Sequence, residues 1–202
     1  MEGSVLIAFI TASVLLTLSP GPDNLYVFSL SLSAQKKAAV RLTWGLTTGL
    51  FLHTAVVAFG WSEVLLNFPE LVWSIKIIGA SYLFYLAIRV LRQKPPKEVS
   101  ETKTPRSYFW QGFLMNVTNP KVTLFFMVFF PGFVFSQTLS LQIQFGVLGV
   151  LFWGQALLIF NGIALLGHRI QKHSFLSVTQ RFQNRLQAIV LLCIAVALLL
   201  YA

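Results

Sequence analysis

Long apolar stretches separated by short polar segments run through the whole 202-residue sequence. Several of them approach or exceed the roughly 18 residues that indicate a membrane-spanning helix. The pattern therefore predicts an all-α, polytopic membrane protein with one transmembrane domain over residues 1–202. The six predicted spans are residues 4–30, 42–61, 71–91, 108–135, 145–166 and 186–202.

Two of these spans are interrupted by polar, helix-breaking residues. The first span contains LSPGPDN at residues 18–24, and the fourth contains NVTNPK at residues 116–121. Proline has no backbone donor, and its ring clashes with the carbonyl one turn earlier. The first span would also be roughly 40 Å long as one helix, against a hydrocarbon core of ~30 Å. The sequence thus predicts helix breaks at Pro20, Pro22 and Pro120.

The order of the spans predicts an internal symmetry. With three spans in each half, the two halves cross the membrane in opposite directions, as inverted-topology repeats do. In such folds, a Pro/Gly interruption at corresponding places in both halves indicates the binding site. Because spans one and four correspond and both are broken, we predict two inverted three-helix repeats with alternating access around broken helices 1 and 4.

The charges predict the orientation. The chain is 56% hydrophobic, 10% charged and has a net charge of +9. The segments after spans one, three and five, the second counted from Arg89 in the last turn of span three, hold three, six and four of the 15 Lys and Arg residues, and the opposite segments hold none. Basic loops stay in the cytoplasm, so both termini are expected outside it. Basic residues spread over short loops do not form a nucleic-acid surface, so no nucleic-acid partner is expected.

Asp23 is the only aspartate and the only acidic residue inside a predicted span. As a first-turn residue it could simply be stabilised by the helix dipole, which contributes ~0.3–1 kcal/mol. A charge near the bilayer centre costs ~2.5–3.5 kcal/mol, which capping alone does not offset. We therefore favour a role in which Asp23 binds a substrate amine or carries a coupling proton.

Other polar residues inside spans have two interpretations each. Lys121 either pairs with Asp23 or contacts a substrate carboxylate, unless it snorkels to the interface. A single histidine inside a span, such as His53, is more often an interior residue with its hydrogen bonds satisfied than a proton relay. Asn116 and Asn119 satisfy freed backbone groups or contact the substrate.

Facing helix breaks offer both polarities that a zwitterion needs. A restarted helix presents N–H groups that bind a carboxylate, and an ended helix presents carbonyls that suit an ammonium group. A small amino acid is therefore the predicted ligand. The candidate substrate-binding residues are Gly21, Asp23, Asn24, Asn116, Asn119 and Lys121, and the candidate proton-coupling residues are Asp23 and His53.

Signatures of catalysis are missing from the sequence. It has no defensible Ser/His/Asp arrangement, phosphate-binding glycine loop or Cys/His metal cluster, so neither a catalytic nor a metal site is predicted. The single cysteine, Cys193, excludes a thiol relay. The alternative to a transporter is a channel or a non-transporting membrane scaffold, and a membrane enzyme is a weaker third interpretation.

Residues 18–24, followed by Ser29, Leu30 and a basic loop, resemble the first span of the LysE/RhtB family of bacterial amino-acid exporters. Residues 77–92, IIGASYLFYLAIRVLR, and residues 112–126, GFLMNVTNPKVTLFF, are similar to its third and fourth spans. One departure is Ala34, where the family pattern has glycine. The residues that match the family signature are Pro20, Gly21, Pro22, Asp23, Asn119, Pro120 and Lys121.

The resemblance implies secondary active export of a small amino acid or derivative from the cytoplasm, driven by the proton gradient. It implies a multi-pass protein of the bacterial inner membrane that binds no cofactor. The expected partners are the amino-acid substrate, the proton and membrane lipid. Close helix packing also allows a homodimer without requiring one.

Overall fold

A computed structural model describes residues 3–19, 21–32, 35–61, 67–92, 105–171 and 180–200. All regular structure in these residues is helical, as predicted. The helices are α1 (Gly3–Leu18), α2 (Pro22–Leu32), α3 (Lys36–Ala55), α4 (Pro69–Leu91), α5 (Pro105–Val117), α6 (Pro120–Leu124), α7 (Leu141–Gln171) and α8 (Gln180–Leu200). A π-helical segment, Val56–Trp61, extends α3, while a π-helical segment, Phe125–Phe129, and a 3-10 turn, Phe130–Phe133, extend α6.

Two helices are long and apolar enough to cross a membrane by themselves. They are α3 with its extension, over Lys36–Gly60, and α7, over Leu141–Leu166. Two bent pairs meet the same requirement when each pair is taken together: α1 with α2, bent by 61°, and α5 with extended α6, bent by 47°. The described residues therefore hold two to four candidate spans, and the predicted number of six stays a prediction.

Helix boundaries extend beyond the predicted spans. Because α3 begins at Lys36, the basic residues Lys36, Lys37 and Arg41 lie in its first two turns and not in a loop before it. The N–H of Ala39 already donates to Gln35 O at 3.0 Å, so the helical hydrogen bonds begin among polar residues. Hydropathy marks where the apolar surface starts, whereas the backbone hydrogen bonds mark where the helix starts.

The centre of the fold is α3, which packs against α2, α5 and α7, while α4 packs against α8. Reciprocal glycines bring the backbones of α3 and α5 together. A Cβ atom on Gly45 would overlap Phe109 O, and one on Gly112 would overlap Leu42 O. Small residues at helix crossings permit such close approach in membranes, where packing drives association.

Phenylalanine side chains fill the space between α1, extended α6 and α7. We call this set the aromatic cluster, and its members Phe9, Phe125, Phe126, Phe130 and Phe152 are all buried. The ring centroids of Phe9 and Phe130 are 5.5 Å apart at 77°, and those of Phe126 and Phe152 are 5.3 Å apart and nearly parallel. Edge-to-face and stacked pairs at such distances are favourable beyond their buried area.

Gln144 fixes the segment that connects the 3-10 turn to α7. Its Oε1 accepts the N–H groups of Phe135 and Ser136 at 2.8 and 2.9 Å. Its Nε2 donates to Ser136 O and Leu139 O at 2.9 and 2.8 Å. One side chain, 1% exposed, therefore satisfies four backbone groups.

We expect Gln144→Leu to lower the free energy of unfolding by about 2–4 kcal/mol. Each buried backbone group left without a partner costs about 1–3 kcal/mol, and three of the four bonds are only part-buried. The measurement is thermal unfolding in detergent micelles, followed by tryptophan fluorescence. The matched control is Gln142→Leu, because Gln142 is exposed on the same helix. Equal midpoints for the two variants would contradict the assigned role of Gln144.

Candidate functional site

The first break lies between the end of α1 at Leu18 and the start of α2 at Pro22. Asn24, in the first turn of α2, turns back toward the end of α1. Its Nδ2 donates to Thr17 O at 2.8 Å and to Ser19 O at 3.1 Å. The side chain therefore satisfies carbonyls that the ended helix cannot satisfy itself. The predicted break residue Pro20 lies outside the described residues.

The second break lies between α5 and α6, and Asn119 forms the N-cap of α6. Pro120 follows at the first helical position, where its missing N–H requires no partner. Asn119 Oδ1 accepts the N–H of Lys121 at 3.0 Å, and Asn119 O accepts those of Val122 and Thr123, each at 3.0 Å. In this conformation, the N–H groups predicted to hold a carboxylate are therefore bonded to Asn119.

The two breaks contact each other through polar side chains of the second. Asn119 Nδ2 donates to Asp23 Oδ2 at 2.6 Å. Lys121 Nζ donates to Leu16 O at 3.2 Å and to Ser19 O at 3.1 Å. Asp23 is 3% exposed and Lys121 is 4% exposed, so both charges are removed from solvent.

Several buried oxygens around the breaks have no hydrogen-bond partner within the described part of the chain. They are Asp23 Oδ1, Asn24 Oδ1, Asn116 Oδ1, Gln155 Oε1 and Ser19 Oγ. The first four belong to an ionised carboxylate or to amide groups, whose oxygens accept hydrogen bonds and cannot donate them. Leaving a buried acceptor unsatisfied costs about 1–3 kcal/mol. The region is therefore complementary to a ligand that brings several donors, such as an ammonium group.

His53 on α3 contacts residues on both sides of the second break, Asn116 on α5 and Phe126 on extended α6. Its Nε2 lies 3.3 Å from Asn116 O, and its ring stacks on Phe126 with centroids 5.3 Å apart. Since a carbonyl oxygen only accepts, Nε2 carries the proton in this bond. His53 is thus a second donor to Asn116 O, which already accepts the N–H of Asn119 at 3.0 Å.

Several known proteins are similar to this chain in sequence. Residues 14–202 match the family model described as LysE type translocator. A homoserine/homoserine lactone efflux protein of Salmonella typhimurium is 32% identical over 170 residues, covering 81% of this chain and 80% of the relative. An uncharacterized membrane protein of Bacillus subtilis is 30% identical over 141 residues, covering 64% and 67%. No solved structure matches the chain.

The chain belongs to the LysE type translocator family. The resemblance noted from the broken spans is confirmed. Members of this family are transporters and not enzymes, so the LysE type translocator described here is a membrane transport protein.

The breaks of this LysE type translocator gather most of its predicted site residues. Gly21, Asp23, Asn24, Asn119 and Lys121 lie at the contact between the two breaks, and Asn116 lies one turn before Asn119. Pro22 and Pro120 are the first residues of α2 and α6. No group of three metal-ligating side chains occurs in the residues that the structure describes. Binding and proton coupling at these residues stay predictions.

Two glutamines of the LysE type translocator reach the site without having been predicted there. Gln155 on α7 donates through Nε2 to Thr17 Oγ1 at 2.9 Å and to Ser13 O at 3.3 Å. Gln187 on α8 is 7% exposed, and its Nε2 is 3.7 Å from the position of a Cβ atom on Gly21. An uncharged amide within a predicted span could have indicated that these two residues are functional. The sequence does not show, however, which neighbours their side chains contact.

Proposed function

We propose that this LysE type translocator is a secondary active exporter that binds a small amino acid or derivative between its two broken helices. The observation that carries the proposal is Asp23 Oδ1, a buried oxygen at the contact between the breaks that has no hydrogen-bond partner in the part of the chain that the structure describes. A carboxylate oxygen in this state requires a donor, and a substrate ammonium provides a charged one. Hydrogen bonds between ionised groups are about twice as strong as neutral ones.

Two amide donors lie near Asp23 for the carboxylate end of such a substrate. Asn119 Nδ2 donates to Asp23 Oδ2 and carries a second N–H with which it can donate to the substrate. Gln187 Nε2 lies beside Gly21. Glycine at this position leaves room, since a Cβ there would be 3.3 Å from Lys121 Nζ.

The balance of charges favours a substrate with an uncharged side chain. Asp23 provides one negative charge for the substrate ammonium, and the amides of Asn119 and Gln187 are available to the substrate carboxylate, so the described part of the site offers no partner for a charged side chain. The Salmonella relative is named for homoserine and its lactone, which fits this requirement. We therefore propose homoserine or a similarly small neutral amino acid as the substrate.

The proposal includes alternating access by two inverted three-helix repeats. Under that symmetry α3 corresponds to α7, and α4 to α8. The observed packing supports it, because α3 packs on α7, α4 packs on α8, and the α3–α5 contact has a counterpart between α7 and α1 with α2. The family and its bacterial relatives support a location in the bacterial inner membrane, and the distribution of Lys and Arg supports an orientation with both termini outside the cytoplasm. The proton gradient would drive export.

Counterflow in proteoliposomes tests this function. Vesicles loaded with unlabelled homoserine should take up external labelled homoserine faster than vesicles loaded with buffer, because an alternating-access carrier exchanges substrate. An imposed pH gradient should also drive uptake against the homoserine gradient. Homoserine lactone, which lacks a free carboxylate, shows whether that group is required. A channel would give the same flux with either internal solution, and a scaffold would give none; either result would refute the proposal.

A further inference from the structure

The ammonium group of Lys121 occupies a cation site that the chain itself has built. Two of its three N–H donors are used by Leu16 O and Ser19 O. These carbonyls belong to the end of α1, where the helix dipole places partial negative charge. Among the described residues, Asp23 supplies the negative charge that attracts the ammonium of Lys121. The site that the sequence suggested for a substrate ammonium is thus already filled by an identical chemical group.

We propose that Lys121 carries the coupling proton, and that its ammonium group competes with the ammonium group of the substrate for Asp23 and the α1 carbonyls. This inference rests on the proposed function. When substrate binds from the cytoplasm, Lys121–NH₃⁺ becomes Lys121–NH₂ and one proton passes to the cytoplasmic solvent. After the substrate leaves on the outside, the amine takes a proton from the outside. One proton thus moves inward for each substrate molecule exported.

The neighbours of Lys121 favour this assignment over its alternatives. Among the described residues, the other titratable groups near the contact between the two breaks are Asp23 on α2 and His53 on α3. The helices α5, α7 and α8 contribute amide side chains there. Asp23 must remain ionised to accept both Asn119 Nδ2 and an ammonium. His53 is held by Asn116 O and its ring packs on Phe126, away from the α1 carbonyls.

Proton release on substrate binding measures the competition directly. Purified wild-type protein in weakly buffered solution with a pH-sensitive dye should release about one proton per homoserine bound, by linkage. Its Kd should rise about tenfold for each unit of pH lowered, as expected for competition with one proton. A wild-type protein that binds homoserine without releasing protons, or with a Kd independent of pH, would overturn the inference.

Arginine and glutamine at position 121 separate proton carriage from a structural role. A guanidinium cannot be deprotonated in proteins, whereas an amine can. Lys121→Arg should therefore bind homoserine at least about tenfold more weakly and release no proton, although it is the conservative change. In proteoliposomes, Lys121→Gln should lose the response of homoserine uptake to an imposed pH gradient. The matched control Lys76→Gln should behave as wild type, because Lys76 lies on α4 away from the breaks.

Each outcome bears on one proposal. If Lys121→Arg still released a proton on binding homoserine, the proton carrier would be Asp23 or His53, and the assignment of Lys121 would be refuted. Homoserine exchange by wild type without proton release would leave the exporter proposal standing and refute only this inference. An absence of homoserine exchange in wild type would count against the exporter proposal itself.

Discussion

Replacing Asp23 by asparagine should weaken homoserine binding about 10- to 100-fold while leaving the two broken helices in contact. The asparagine carbonyl can still accept Asn119 Nδ2, which donates to Asp23 Oδ2 in the wild type. What is lost is the negative charge at the second oxygen, Asp23 Oδ1, which has no hydrogen-bond partner among the described residues. Hydrogen bonds to charged groups contribute about 1.5–3 kcal/mol, and each 1.4 kcal/mol is about tenfold in affinity.

The measurements are homoserine Kd for purified Asp23→Asn protein and counterflow in proteoliposomes. The yield of inserted protein and the thermal midpoint should stay near those of wild type. Glu70→Gln is the matched control, since it neutralises an acid in the exposed first turn of α4. Wild-type affinity and flux in Asp23→Asn would remove this residue from the binding site.

Gly112→Ala is expected to have the largest effect on stability. The added Cβ overlaps Leu42 O and would lie 2.9 Å from Leu46 N, so backbone of α3 and not a flexible side chain must move. Overpacking costs about 1–3 kcal/mol, and occasionally more, where neighbours can adjust. Because backbone cannot adjust without separating α3 from α5, we expect a loss of about 3 kcal/mol or more.

The matched control for Gly112→Ala is Gly154→Ala on α7. Apart from the local helix backbone, no atom of the described residues lies within 4 Å of a Cβ atom at Gly154, so alanine meets no packed neighbour there. Alanine also favours a helix over glycine by about 1 kcal/mol, which makes the control neutral or slightly stabilising. Thermal midpoints in detergent compare the two variants. If Gly112→Ala unfolded at the same temperature as the control, the close contact between α3 and α5 would be wrong.

Local chemistry explains why the helix breaks could be predicted from sequence. Pro22 and Pro120 act on their own backbone and on the preceding turn, so their effect needs no knowledge of the fold. The burial of Asp23 also followed from its position in an apolar stretch. The family followed from two short motifs, each contained within one span.

The partners of the site residues depend on contacts that are distant in sequence. Lys121 meets Leu16 O across 105 residues, and Gln155 meets Ser13 O across 142. Hydrophobic periodicity constrains which face of a helix is buried but does not say which helix covers it. For this reason the sequence left Lys121 between pairing with Asp23 and contact with a substrate carboxylate, did not indicate the α1 carbonyls, and overlooked Gln187.

The aromatic cluster has a consequence for the energetics of the cell membrane. Phe9 lies on α1, before the first break, and Phe126 and Phe130 lie on extended α6, after the second break. The rings of Phe9 and Phe126 both pack against that of Phe130. Closely packed apolar rings exclude a continuous file of water, and such constrictions stop conduction by dewetting. We therefore expect the aromatic cluster to block an ion leak along this part of the protein, which would preserve the membrane potential of a cell that makes many copies of it.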